Sequence, residues 1–244
     1  MKINSATKHL EFIDMSRGFA IFLMFVYHFS FDLDYYGLIQ QNFYLDEFWI
    51  NFRIVIVSLF LTIMGISLYL ASYRGLNKKR FRQRILLLIV YSLLVSASSW
   101  IMYPQAMVFF GILHFITVAS ILGLLFIRLG IINLFLGVSL IIANQLWSHS
   151  FFDQAYLQWL GFVTELPVTV DYVPLFPWFG VVLIGLYLGQ ILTKLPAESF
   201  LVQWKNNNIF TQSLALGGQY SLHIYMLHQP LFLGILYIIT QVIS

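Results

Sequence analysis

Arg17, His28 and Asp32 lie eleven and then four residues apart inside the apolar run IDMSRGFAIFLMFVYHFSFDLDYYG, residues 13–37. An α-helix turns about 100° per residue, so a spacing of eleven returns Arg17 and His28 to one face within roughly 20°. Asp32 follows on nearly the same stripe. Ionisable groups at membrane depth are costly and face a bundle interior or a wet cavity, so their alignment reads as a functional line, with a structural bridge as the plainer alternative. A neutral imidazole in a partly dry site takes a proton from an attacking amine or hydroxyl and returns it to a leaving group. Asp32, four residues on, can orient that ring and stabilise its charged form. His28 and Asp32 are the candidate catalytic pair.

Other polar groups interrupt later apolar runs. Arg53 opens the second run, His114 sits in FFGILHFITVAS, Asp171 heads DYVPLFPWFG, and His228 lies in YSLHIYMLHQP. Each has a structural reading: Arg53 as a snorkelling base, His114 as a core histidine bonded to a carbonyl or hydroxyl, Asp171 ahead of a helix start. His228 precedes Pro230, whose missing N–H leaves a carbonyl that the ring can satisfy. The functional reading makes all four contacts for an acceptor molecule. RGLNKKRFRQR, residues 74–84, concentrates six basic residues. It is either a topogenic loop against an anionic leaflet or a rim for the phosphates of a nucleotide-bearing donor. On the second reading Arg80, Arg82 and Arg84, with Arg17, are the cofactor-binding residues. Asp14 and Arg17, three apart, are placed to pair at the base of the first helix.

The elements that must position these groups are membrane helices. The chain has 244 residues, 60% of them hydrophobic and 9% charged, against about 25% charged in a typical soluble domain. Seven apolar segments, roughly 10–33, 47–73, 82–103, 105–127, 131–147, 172–194 and 218–243, approach the ~20 residues that cross a bilayer, the fifth being the shortest. The expectation is an all-α polytopic helix bundle of about seven transmembrane helices, forming a single integral membrane domain over 1–244. The first run lacks a small-residue cleavage site and is read as a retained span. An N-terminus inside and a C-terminus outside places twelve of the 13 basic residues on the inner side, Arg53 excepted. There is no cysteine, hence no thiolate nucleophile and no Cys-ligated metal. The composition points to membrane lipid as a partner and not to nucleic acid, and a homo-oligomer is compatible with it.

The run IDMSRGFAIFLMFVYHFSFDL resembles the first transmembrane helix of the heparan-alpha-glucosaminide N-acetyltransferase catalytic-domain-like family, within the transmembrane acyltransferase superfamily. Arg17, Gly18 and His28 match its Arg-Gly and later histidine. FFGILHFITVASILG, DYVPLFPWFGVVLIGLYLG and YSLHIYMLHQP extend the resemblance over residues 11–237. It implies a multi-pass cell-membrane enzyme, expected in a bacterial cytoplasmic membrane. Such an enzyme moves an acetyl or other acyl group from cytoplasmic acyl-CoA to a sugar-like or other small hydroxyl or amine acceptor outside. His28 would be the catalytic residue, as base or acyl relay, and Arg17 a polar partner in the donor path. Seven spans are fewer than in the lysosomal enzyme, so heparan specificity does not carry over. The rival reading is a transporter that conducts protons or solute along Arg17, His28 and Asp32 without covalent chemistry. A haem carrier would instead need His114 and His228 as paired ligands, and neither metal nor haem is expected.

Overall fold

The computed structural model describes residues 10–243; Lys2 and Lys8, counted above for orientation, lie outside them. The described chain is all-helical, with no strand. Six helices are long and apolar enough to cross a membrane: α1 Glu11–Tyr35, α2 Glu47–Tyr73, α3 Lys78–Met102, α4 Ile112–Phe126 with its terminal 3-10 turn to Leu129, α6 Leu175–Lys194 and α9 Ser221–Ile243. The expected fifth span is the 15-residue α5, Ile132–Leu146, about 22 Å long at helical rise and shorter than a hydrocarbon core of about 30 Å. Two further helices, α7 Phe200–Gln203 and α8 Ile209–Gln219, occupy a stretch whose sequence reads as connection.

The described residues form two compact units, 10–63 with 196–243, and Met64–Leu195. In the first, α1 begins with Glu11 and Asp14 in its opening turn, where carboxylates complement the helix dipole. It ends at Tyr35 with Tyr36 as its C-cap, and Gly37 follows with φ 71°. Its most extensive partner is α8. Backbones touch there: a Cβ on Gly18 would lie 1.7 Å from the Leu214 carbonyl oxygen, and one on Gly218 would lie 1.9 Å from that of Asp14. Small residues permit such approach where helices associate without a hydrophobic drive between them. Further along α1, Ile21, Met24 and Tyr27 pack with Phe43 and Ile56 in an aromatic-rich core that includes Trp49 and Phe52. Lys205 pairs with Glu11, whose other oxygen accepts from the Asn206 N–H at 3.0 Å.

The second unit holds the rest of α2 and α3 to α6. Here α5 and α6 close on Gly137 and Gly180, each with a Cβ position 2.5 Å from the other's carbonyl oxygen. Before α4 the chain makes a short 3-10 turn at Pro104–Ala106 and then runs irregularly to Gly111. This run pairs with the approach to α6 through Val170 N–H to Ala106 O, 3.0 Å, and Val173 N–H to Phe110 O, 3.2 Å. The fourth helix therefore starts at Ile112 and not at 105: these backbone groups are satisfied by the irregular segment 170–173 instead of by a helix. α3 exposes Leu86, Leu93, Leu94, Trp100 and Ile101, as a lipid-facing surface does.

Candidate active site

The polar groups of α1 meet those of α9 within one unit. His28 and His228 have ring centroids 5.0 Å apart, at 59° to each other. One turn beyond His28, on the same face of α1, Asp32 Oδ1 accepts from Gln229 Nε2 at 2.7 Å. Asp32 is 2% exposed and His228 5%, so both are buried. The Asp32 hydrogen bond runs to a neutral amide on another helix and not to the His28 ring. The aromatic surroundings are Phe25, stacked on His228 at 5.8 Å, Tyr225 at 5.2 Å, and the edge of Phe232 at 5.8 Å.

The tautomer of His228 follows from its partner. Nδ1 faces the backbone oxygen of Tyr225 in the preceding turn. A carbonyl only accepts, so Nδ1 carries the hydrogen and the neutral ring keeps its lone pair on Nε2. That Nε2 is buried without a hydrogen-bond partner, as are Asp32 Oδ2 and Gln229 Oε1. Sequence reasoning missed Gln229 and Tyr225, although Gln229 stands next to His228 in the quoted HQP. What distinguishes it is a partner 197 residues away.

Arg17 lies at the α1/α8 contact. Its Nη1 donates to Asp14 Oδ1 at 3.2 Å, the pairing that the spacing of three predicts, and to the Gly218 carbonyl at 3.3 Å. Gln219 Nε2 donates to the other Asp14 oxygen at 3.2 Å. Asp14, Arg17, Gly218 and Gln219 thus form one network at the base of α1. Arg53 is exposed on α2.

In the other unit, His114 and Asp171 both serve the first turn of α4. Ser96 Oγ gives its hydrogen to Val108 O at 2.7 Å and so accepts from His114 Nε2–H at 3.1 Å. The Gly111 N–H donates to His114 Nδ1 at 3.3 Å. Both ring nitrogens are engaged. Asp171 Oδ2 accepts from the Ile112 N–H at 2.9 Å, placing a carboxylate on the helix N-terminus. Gly111 makes room for it, because a Cβ there would lie 2.2 Å from that oxygen. Arg80, Arg82 and Arg84, with Arg74, Lys78 and Lys79, are exposed around the start of α3, where Asn77 Oδ1 caps the helix by accepting from the Arg80 N–H. Arg84 borders a narrow crevice with Ser67, Ser120, Met64, Leu68 and Phe81.

Outside the membrane-spanning helices, Asp153 accepts from both the amide and the hydroxyl of Thr164, which holds its carboxyl below the usual range. Tyr172 donates to the Gln158 carbonyl at 2.6 Å, and burial, with Asp153 second, pushes its phenol up to about 12. These groups tie residues 149–172 into an ordered connection before α6.

No curated protein and no solved structure matches the chain. The catalytic-domain model of heparan-alpha-glucosaminide N-acetyltransferase matches residues 9–230, from before α1 to the Pro230 that follows His228 and Gln229, and the chain belongs to that family.

Proposed function

We propose that this protein takes an acetyl group from acetyl-CoA at the cytoplasmic face and delivers it to a hydroxyl or amine on the outer side, with His28 as catalytic base or acyl relay. The acceptor is a glycan-like or other small molecule. Family membership supports the reaction class and the donor. The observation that carries the site is the pairing of His28 with His228 beside the Asp32–Gln229 bond. A half-buried imidazole beside a second one, with a carboxylate one turn further along the same helix, has the surroundings general acid–base catalysis needs.

The residues present fit an acyl-CoA donor by their chemistry. Arg80, Arg82 and Arg84 are exposed cations of the kind that make charge-assisted hydrogen bonds to phosphates. The bound thioester supplies an activated acyl group. Arg17 is held by Asp14 and Gly218 and contributes a fixed positive charge below His28 on α1. Arg53 is exposed to an acceptor, and Asp32 and His228 offer it hydrogen-bond acceptors. His114 and Asp171 support the start of α4, and through it any acceptor contact they make. The six Lys and Arg within residues 74–84 support a cytoplasmic basic segment in a multi-pass cell-membrane protein.

The test is binding of acetyl-CoA to the detergent-purified chain, followed by release of free CoA with hydroxyl and amine acceptors. Binding and acceptor-dependent release are expected. A folded His28→Ala variant should lose transfer by about 10²–10⁴-fold. Absence of binding at millimolar acetyl-CoA, or normal transfer by that variant, would overturn the reading.

A further inference from the structure

We infer that His228 is the ring that first takes the proton from the acyl acceptor and hands it to His28, and that Asp32 Oδ2 and Gln229 Oε1 orient that molecule through its other hydrogen-bond donors. This rests on the acetyl-transfer reading and divides the labour between its two imidazoles. A base must present a lone pair, and His228 is the ring whose lone pair the fold fixes. Tyr225 O holds the hydrogen on Nδ1, leaving Nε2 buried and unpartnered. His114 shows the contrast, with both nitrogens committed to Ser96 and Gly111.

The other two unpartnered atoms are acceptors as well. Gln229 must turn its NH₂ toward Asp32 Oδ1, since an ionised carboxylate only accepts, and that leaves Gln229 Oε1 aimed away from it. Buried polar atoms are ordinarily paired. Three unpaired acceptors on two adjacent residues of α9 and their Asp32 partner call for a molecule with several O–H or N–H donors, which a glycan-like polyol or amino sugar is and a thioester group is not.

In the step this assigns, the acceptor's oxygen or nitrogen forms a bond to the acyl carbon as the carbon–sulfur bond breaks. The acceptor's proton goes to His228 Nε2 and then, through the His28 ring 5.0 Å away, to the departing sulfur. The products are the acylated acceptor and a free thiol, with both rings neutral again.

The test uses the full chain in lipid bilayers with ¹⁵N-labelled histidine, and His228→Asn, whose amide keeps a donor for Tyr225 O while removing Nε2. The signals lost in the variant should belong to a ring protonated on Nδ1; the opposite tautomer would overturn the inference. In transfer assays the variant should still bind acetyl-CoA. Transfer to an alcohol should fall about 100-fold or more, while transfer to hydroxylamine, already unprotonated near neutral pH, should fall less than tenfold. Equal losses with both acceptors would assign His228 a structural role, and no loss would remove it from the site. His228→Gln is the second variant should the first fail to fold. A wild-type protein that transfers to no acceptor would refute the acetyltransferase reading itself, whereas an active wild type with an unaffected variant refutes the base alone.

Discussion

Asp32 on α1 and Gln229 on α9 are joined side chain to side chain at 2.7 Å, across 197 residues of sequence. The bond clamps the two helices one turn beyond the imidazole pair. Asp32→Ala leaves the Gln229 amide buried without its acceptor and is expected to cost about 1–3 kcal/mol. Asp32→Asn keeps an acceptor for Gln229 and should cost about half as much. Thermal unfolding of the purified variants gives the order.

Gly18 and Gly218 close the α1/α8 contact so tightly that a methyl on Gly18 would overlap the Leu214 carbonyl oxygen. Backbone cannot step aside as a flexible side chain does, so Gly18→Ala should destabilise by about 3 kcal/mol or more. Gly234, exposed in α9 with nothing within 4 Å of its Cβ position, is the control. Gly234→Ala should leave stability unchanged or raise it by about 0.5–1 kcal/mol. Unfolding midpoints in the same detergent compare the two.

At the start of α4, Asp171 supplies the acceptor that Gly111 cannot. Asp171→Ala should cost about 1 kcal/mol and Asp171→Asn less. Hydrogen exchange at the Ile112 amide should accelerate in the alanine variant, while exchange late in α4 is unchanged.

Asp153 gives a prediction in pH. Its folded carboxyl lies below the ordinary value because Thr164 donates to it twice. A depressed carboxyl stabilises the fold above its unfolded pKa of about 3.9, and the contribution is lost as pH falls through the lowered folded value. The Thr164 amide should therefore stay protected at pH 5 and exchange faster, after correction for intrinsic rate, below about pH 3. In Asp153→Asn this extra acid sensitivity should be absent.

The polar stripe of α1 was legible because its information is local. Helical period alone aligns Arg17, His28 and Asp32, and the spacing of three pairs Asp14 with Arg17. Helix type and six long spans follow from apolar run length in the same way. What the sequence hides is long-range. α8 reads as connection because 11 residues that include Thr211, Gln212, Gln219 and two glycines carry no membrane-span signal, and its role appears only when Gly218 meets Gly18. The start of α4 moves to Ile112 because residues 106–110 bond to residues 170–173, a pairing without periodicity. Asp32 turns from His28 to Gln229 for a similar reason: the spacing of four shows which face it shares, not which neighbour arrives there.

The contact that admits no methyl also acts as a vertical gauge. With the backbones of α1 and α8 touching at Gly18 and Gly218, neither helix can slip along the other, and Arg17 is latched to the Gly218 oxygen at that level. A thicker or thinner bilayer must be met by tilting the pair as one body or by deforming lipid around it. The rise from guanidinium to imidazole along α1 is then the same in every membrane that hosts the protein.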